Sequence, residues 1–374
     1  MIETEPKNLR EQLIQLTRDL VMVPSSAERP DDVERALEIV RHHVDNQPGV
    51  DVQVYRSAGN PSIAAMPASS PLHCDILLCA HVDVVSHGSA SIYRPEVRGD
   101  RIVGPGAGDM KGQLAILIGL FRAAHERAPG LSLGLVVTTD EEIGGMHGIR
   151  HLLDDVGIRC NTAIIPDGGS INRFPIAEKG ILHLRLTLPG LAAHAARPWL
   201  ARNALQRAAN VIHRLEQAFP LPATSESAEH WYPTCSPTVL RTDNASINRI
   251  PPAAELLLDC RFPPPLTSED ICERIRALLT PEDQLEVIIS ANPSALNPDP
   301  EFLRIASKIT GHPAQQIRES GGSDGRFFAA HGIPVIISRP EVGNLHDIDE
   351  WIDIPTMLVY HKMVAEYINQ RLGL

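Results

Sequence analysis

The chain has 374 residues, more than the roughly 250–300 at which one hydrophobic core stops growing, so two domains are expected. With 34 basic against 46 acidic residues, a net charge of -12 and no Lys/Arg-rich run, it offers no footprint for nucleic acid. The acidic start MIETEPKN lacks the basic and apolar regions of a secretion signal, and no apolar stretch reaches membrane-spanning length; no membrane partner is expected and the expected location is the cytoplasm.

In chain order, Leu9, Leu13, Leu16 and Leu20 share one helical face until Pro24 stops it. Asp31 or Asp32 is then expected to cap a second helix carrying Val33, Leu37, Val40 and Val44. Strand-like runs follow at 52–55, 62–65 and 76–80, the last apolar on both faces, as in a central strand of a covered sheet. Residues 112–124 (GQLAILIGLFRAA) are apolar almost all round and predict a buried helix. Three more short apolar runs, 133–137, 163–165 and 335–337, each lead toward an acidic or histidine position. Strands alternating with helices predict a largely parallel α/β sheet flanked by helices.

The pattern changes between about 182 and 291, where the runs 182–188, 238–242, 255–261 and 285–290 alternate apolar with polar. Two amphipathic helices, near 200–217 and 268–279, complete a β-α-β-β-α-β order, which predicts a ferredoxin-like α+β insertion. The expected organisation is a discontinuous catalytic domain, 1–181 and 292–374, with an inserted domain at 182–291. The final helix is expected over about 354–371. The six cysteines show no CxxC pair and no dense spacing, and are expected to be reduced core residues.

In open α/β sheets ligands bind beyond the carboxyl ends of the strands, so residues just after several strands converge although far apart in sequence. His81, Glu141, Glu142, Asp167 and His346 are read as meeting that test. Asp109 sits instead in GPGAGDMKG, whose glycines let the backbone bend and push a carboxylate into the same place. Imidazole and carboxylate are zinc ligands at catalytic sites, and a pair of ions needs one carboxylate to bridge them. Asp109 is the bridging candidate, with His81 and Asp167 completing one ion and Glu142 and His346 the other; cobalt or manganese suits the same donors. Asp83, two residues past His81, is placed to hold that histidine by its second nitrogen. Glu141 is left without a metal, and such a carboxylate takes a proton from the attacking water and passes it to the leaving nitrogen.

The fragments HVDVV (81–85), GPGAGDMKG (104–112), TTDEEIGG (138–145), PDGGS (166–170), AHAARP (193–198), NRIPPAAELLLDCRFPP (248–264), GGSDGRFFAAHGIPV (321–335) and LHDIDE (345–350) occur in one family's order. They resemble the zinc-dependent aminoacylase, acetylornithine deacetylase, succinyl-diaminopimelate desuccinylase and glutamate carboxypeptidase family. The resemblance implies a di-zinc exopeptidase-type catalytic domain and the same assignment of ligands, orienting acid and base. It implies further that residues 182–291 form a lid and dimerisation domain, hence a homodimer, and that His194 stabilises the tetrahedral oxyanion, often across the dimer. Asn248, Arg261, Gly322 and Ser323 fall at positions that hold a substrate carboxylate, and a cis peptide is implied after Asp109. Asp167 is the residue of the dipeptidase and aminopeptidase branches, where deacylases carry Glu, and Ser86 replaces the usual proline after HVDVV. The short insertion and its DCRF element instead resemble the deacylases.

The expected function is metal-dependent hydrolysis of an amide bond in a small amino-acid-derived substrate, an N-acyl amino acid or a short peptide. The contrasting expectation is a non-catalytic carboxylate- or peptide-binding protein that has kept the fold. A lone histidine after a strand is ordinarily structural, and His42, His43, His87, His125, His147, His151 and His331 are read so. GPGAG lacks the GK[ST] ending of a phosphate loop, and Ser323 lacks the spacing of a nucleophile elbow.

Overall fold

The computed structural model describes residues 1–3, 7–222 and 230–374. The chain divides into two compact units, one of residues 1–176, 296–317 and 323–374 and the other of 177–295 and 318–322. The inserted unit is thus wider than 182–291. The backbone N–H of Lys179 donates to Glu319 O at 3.2 Å, tying a distant stretch of chain to the strand that opens the insertion.

The larger unit begins with two helices, α1 (Leu9–Val21) and α2 (Pro30–Val44). Helix α2 is not capped by Asp31 or Asp32: its N-cap is Arg29, with no side-chain cap bond. Pro30 at the first helical position, with its fixed φ and no N–H to satisfy, starts the helix instead. Asp32 accepts from Arg29 Nε and Arg35 Nη1, both at 2.6 Å.

A hairpin of β1 (Val50–Ser57) and β2 (Asn60–Pro67) leads to β3 (His73–His81), and after helix α3 (Gly112–Arg127) come β4 (Leu133–Thr138) and β5 (Arg159–Ile165). These strands form one sheet in the order β1-β2-β4-β3-β5, closed at its far edge by residues Val335–Ile337. The β1/β2 and β2/β4 pairs are antiparallel, and the remaining neighbours are parallel. Every residue of β4 is buried, the mark of a strand covered on both faces. One face packs Leu78, Ala80 and Leu135 against Leu13, Leu37, Leu117 and Tyr360; the other packs Leu77, Cys79 and Val136 against Leu152 and Phe328.

The inserted unit contains β6 (Gly180–Pro189), α4 (Ala204–Ala218), β7 (Thr234–Arg241), β8 (Ala253–Phe262), α5 (Ser268–Arg276) and β9 (Gln284–Ala291). The sheet order β7-β8-β6-β9, with all neighbours antiparallel, is the ferredoxin-like arrangement. Buried and less buried residues alternate along β8, because only one sheet face meets the helices. Leu184, Leu186, Leu256 and Leu258 pack there against Ala208, Leu215 and Ile271. Helix α5 starts with a reciprocal capping box between Thr267 and Asp270.

The chain ends with α6 (Pro300–Thr310), the edge strand β10 (Val335–Ile337) and α7 (Ile354–Leu372). All six cysteines are free, and all but the half-buried Cys235 are buried. No helix among the described residues is long and apolar enough to cross a membrane.

Candidate metal centre

The parallel strands β3, β4 and β5 end side by side, and each delivers acidic or imidazole groups at its carboxyl end. His81 is the last residue of β3 and Asp83 follows it; Glu141 and Glu142 come three and four residues after β4; Asp167 comes two after β5. His346 departs from the expected pattern. It does not follow β10 but lies nine residues beyond, in a turn where its own φ is +62°. A left-handed histidine costs on the order of 1 kcal/mol and persists only where its surroundings fix it. Here the fixing group is Glu350, whose Oε2 accepts the His346 backbone N–H at 3.2 Å.

The other oxygen of Glu350 accepts the backbone N–H groups of Gly108 and Asp109, each at 2.7 Å. One buried carboxylate therefore fastens the glycine-rich loop and the histidine turn together. The loop itself demands its glycines. Gly106 has φ +79°, and a Cβ there would lie 2.5 Å from Val84 Cγ1; a Cβ at Gly108 would lie 2.8 Å from Trp351 O. The Asp109–Met110 peptide is cis, as the family resemblance implied.

Within this frame Asp109 presents one oxygen to each histidine. His81 Nε2 is 3.2 Å from Oδ1, and His346 Nε2 is 3.4 Å from Oδ2 and 3.5 Å from Glu142 Oε2. Ligand atoms of His81, Asp109 and Asp167 lie within 4.8 Å of one another, as do those of Asp109, Glu142 and His346. The two triads share Asp109 and no other residue. His81 Nδ1 is 3.1 Å from the Asp83 carbonyl and 3.4 Å from Asp83 Oδ1, and Asp83 Oδ2 accepts the Glu142 backbone N–H at 3.0 Å. Asp83 thus braces both triads, with its main chain contributing to the hold on the imidazole.

The electrostatics fit cations. Burial pushes the carboxyls of Glu142 and Glu350 up to about 7 and that of Asp324 up to about 8. Glu141 and Asp167 are raised as well, by burial first and then by the charges of Asp167 and Asp109 respectively. Asp109 goes the other way: its hydrogen bonds to His346 and His81 outweigh burial and hold it well below the usual carboxylate range. Glu142 Oε1 and Asp324 Oδ1 are buried without a hydrogen-bond partner. Carboxylates crowded and left unsatisfied in this way suit divalent ions, and the N/O donor set suits zinc and its neighbours.

Four contributors escaped the sequence reading. Glu350 lay within LHDIDE and Asp324 within GGSDG, but nothing in the spacing marked either as reaching the centre. Lys111 is fully buried, donates to Val23 O at 2.7 Å and is lowered to about 7 by burial. Arg339 stands two residues past β10, with Nη1 3.6 Å from Asp167 Oδ1. The rule used for the other strands, read one strand further, marks its place at a strand end but not its neighbour Asp167.

The remaining expected residues are placed as follows. His194 pairs with Arg249 in a two-residue ladder of the inserted unit, and its exposed ring accepts the Ala196 N–H at Nδ1, 3.1 Å away. Asn248 neighbours it there, accepting the Ala195 N–H at 2.8 Å. Arg261 lies on β8, its Nε and Nη2 donating to Asp259 at 2.8 and 3.0 Å. A Cβ on Gly322 would meet Ile181, while Ser323 is buried and accepts the Gly325 N–H at 3.1 Å.

The chain is 27% identical over 325 residues to a succinyl-diaminopimelate desuccinylase of Alkalilimnicola ehrlichii, covering 81% of this chain and 84% of that relative. It shares its fold with a tripeptidase of Staphylococcus aureus, at a TM-score of 0.77 and 19% identity over 98% of this chain and 99% of the other. The fold is likewise that of an M20 family metallo-carboxypeptidase of Sulfolobus solfataricus, at a TM-score of 0.77 and 18% identity over 97% and 100%. The sequence profile of peptidase family M20/M25/M40 matches from residue 77 to residue 370. Its span takes in every member of both triads, and the chain belongs to that family, as a metal-dependent hydrolase of amide bonds in small amino-acid-derived substrates.

Proposed function

We propose that the protein removes the acyl group of an N-acyl amino acid, with two zinc ions held by His81, Asp109 and Asp167 and by Asp109, Glu142 and His346. The observation that carries the metal-dependent hydrolysis is the pair of triads meeting on the two oxygens of one carboxylate. Bound there, the ions would supply Lewis acidity for the scissile carbonyl and the attacking water. Glu141 belongs to neither triad, and its raised carboxyl is suited to receive the proton of the water and return it to the leaving nitrogen. Asp83 positions His81. His194 accepts at Nδ1, which leaves the proton on Nε2 as a donor for the tetrahedral oxyanion.

The desuccinylase relative supports a deacylase. Asp at 167 favours the second reading, a small-peptide exopeptidase, since the peptidase branches resemble this chain there. Asn248, Gly322 and Ser323 are assigned to substrate contact by the same resemblance. A homodimer through the inserted unit is supported by its edge strands, where Val239, Leu240, Val287 and Ile288 are exposed.

A panel of acetyl-, succinyl- and formyl-amino acids, peptidyl-glutamates and dipeptides, assayed with zinc, cobalt or manganese, separates the two readings. Glu141→Gln is expected to keep both metal ions while kcat falls about 10²–10⁴-fold. A near-normal rate in that variant would remove Glu141 from the reaction. Mixing Glu141→Gln with His194→Ala subunits restores part of the activity if His194 acts across a dimer.

A further inference from the structure

The two arginines that bear on an anionic substrate are in opposite circumstances. Arg261 has the Nε/Nη2 edge of its guanidinium on Asp259, which also lies 3.1 Å from His183 Nε2. That edge is satisfied within its own sheet. Arg339 donates no hydrogen bond to any described residue, and its Nε is buried without a partner. Its one ion pair among the described residues is to Asp167, at 3.6 Å too long for a hydrogen bond. At 16% exposure the side chain is largely desolvated yet still reachable.

An arginine in that state calls for an acceptor. Its five donors form a planar fork that matches a carboxylate, and leaving buried donors unmade costs free energy. Asp167 offers little in return, since it is itself a member of one of the two triads. With metal bound the charge of the acidic cluster is offset, and a cation beside the triads, outside the ligand set, is left for a carboxylate of the substrate. We infer that Arg339 recognises a carboxylate of the substrate and is a specificity-determining residue for acidic substrates. This rests on the small amino-acid-derived substrate class proposed above, whose members carry that group.

The test is calorimetric titration of the metal-loaded enzyme with succinate and, as the uncharged control, succinamide. The wild-type protein and the Arg339→Met, Arg339→Lys and Arg261→Met variants are compared at matched metal occupancy. Succinate is expected to bind the wild-type protein and to bind Arg339→Met at least about tenfold more weakly, the value of a charge-assisted hydrogen-bonded pair. The preference for succinate over succinamide should shrink in step, with Arg339→Lys intermediate because it keeps the charge and loses the fork. A role confined to packing would leave that preference unchanged. Equal affinity in wild type and Arg339→Met, loss in Arg261→Met instead, or no binding of succinate by the wild-type protein each overturns the assignment. Failure of the whole substrate panel alongside the expected titration would reject the hydrolytic reading and leave Arg339 as a carboxylate site.

Discussion

The two units use their sheets differently. In the larger one every residue of β4 is buried, and the chemistry gathers where three covered parallel strands end. In the inserted one β8 is buried at alternate residues, and His194 stands exposed on a short ladder with the exposed Asn248 beside it. A covered sheet fixes strand ends rigidly, because both faces are packed, so it suits ligands that must be held in one geometry. A half-covered sheet leaves one face for other contacts.

Removing the metal is the harshest way to break this contrast. Chelation should abolish turnover and expose the amides of residues 81–83 and 141–142 to hydrogen exchange, while β6 and β8 keep their protection. Metal at 100 times its Kd adds about 2.7 kcal/mol to folding stability, so the melting temperature should fall on chelation and recover when zinc is returned. Uniform loss of protection across both units would show that they do not respond separately.

His194→Ala tests the contrast from the other side. Loss of an oxyanion donor should lower kcat by about 10²–10³-fold, with metal content unchanged by elemental analysis. Loss of metal in that variant would argue that the residue belongs to the centre itself.

Glu350→Ala removes the carboxylate that joins the Asp109 loop to the His346 turn. Metal affinity should fall by about 10–100-fold, as for other groups that orient ligands. Glu350→Gln should lose less, because its amide oxygen still accepts from the loop. The smallest effect is expected for Thr267→Ala, which deletes the capping box of α5. Denaturant unfolding should register about 1 kcal/mol, and metal affinity should not change.

Much of this was legible in the chain itself. Apolar runs of period two or of continuous burial marked the strands of both sheets, and the change of pattern near residue 182 announced the insertion. His81, Asp109, Glu142, Asp167 and His346 could be grouped from sequence because metal chemistry restricts donors to few residue types and strand ends restrict their places. The cap of α2 differs from the expectation because Asp32 is equally good as an ion-pair partner, and local spacing does not distinguish the two uses.

Tertiary structure alone decided the rest. Which oxygen of Asp109 faces which histidine depends on the loop's path, and that path depends on Glu350, 241 residues away. The position of Arg339 beside Asp167 follows from the parallel pairing of β10 with β5, a long-range choice that no local pattern carries. That Arg261 has an acceptor for its Nε/Nη2 edge and Arg339 has none for its Nε can be read only from their neighbours. Sequence fixes the kinds of group and their strand-end positions through short-range sterics and burial, whereas the pairing of donors with acceptors is a property of packing.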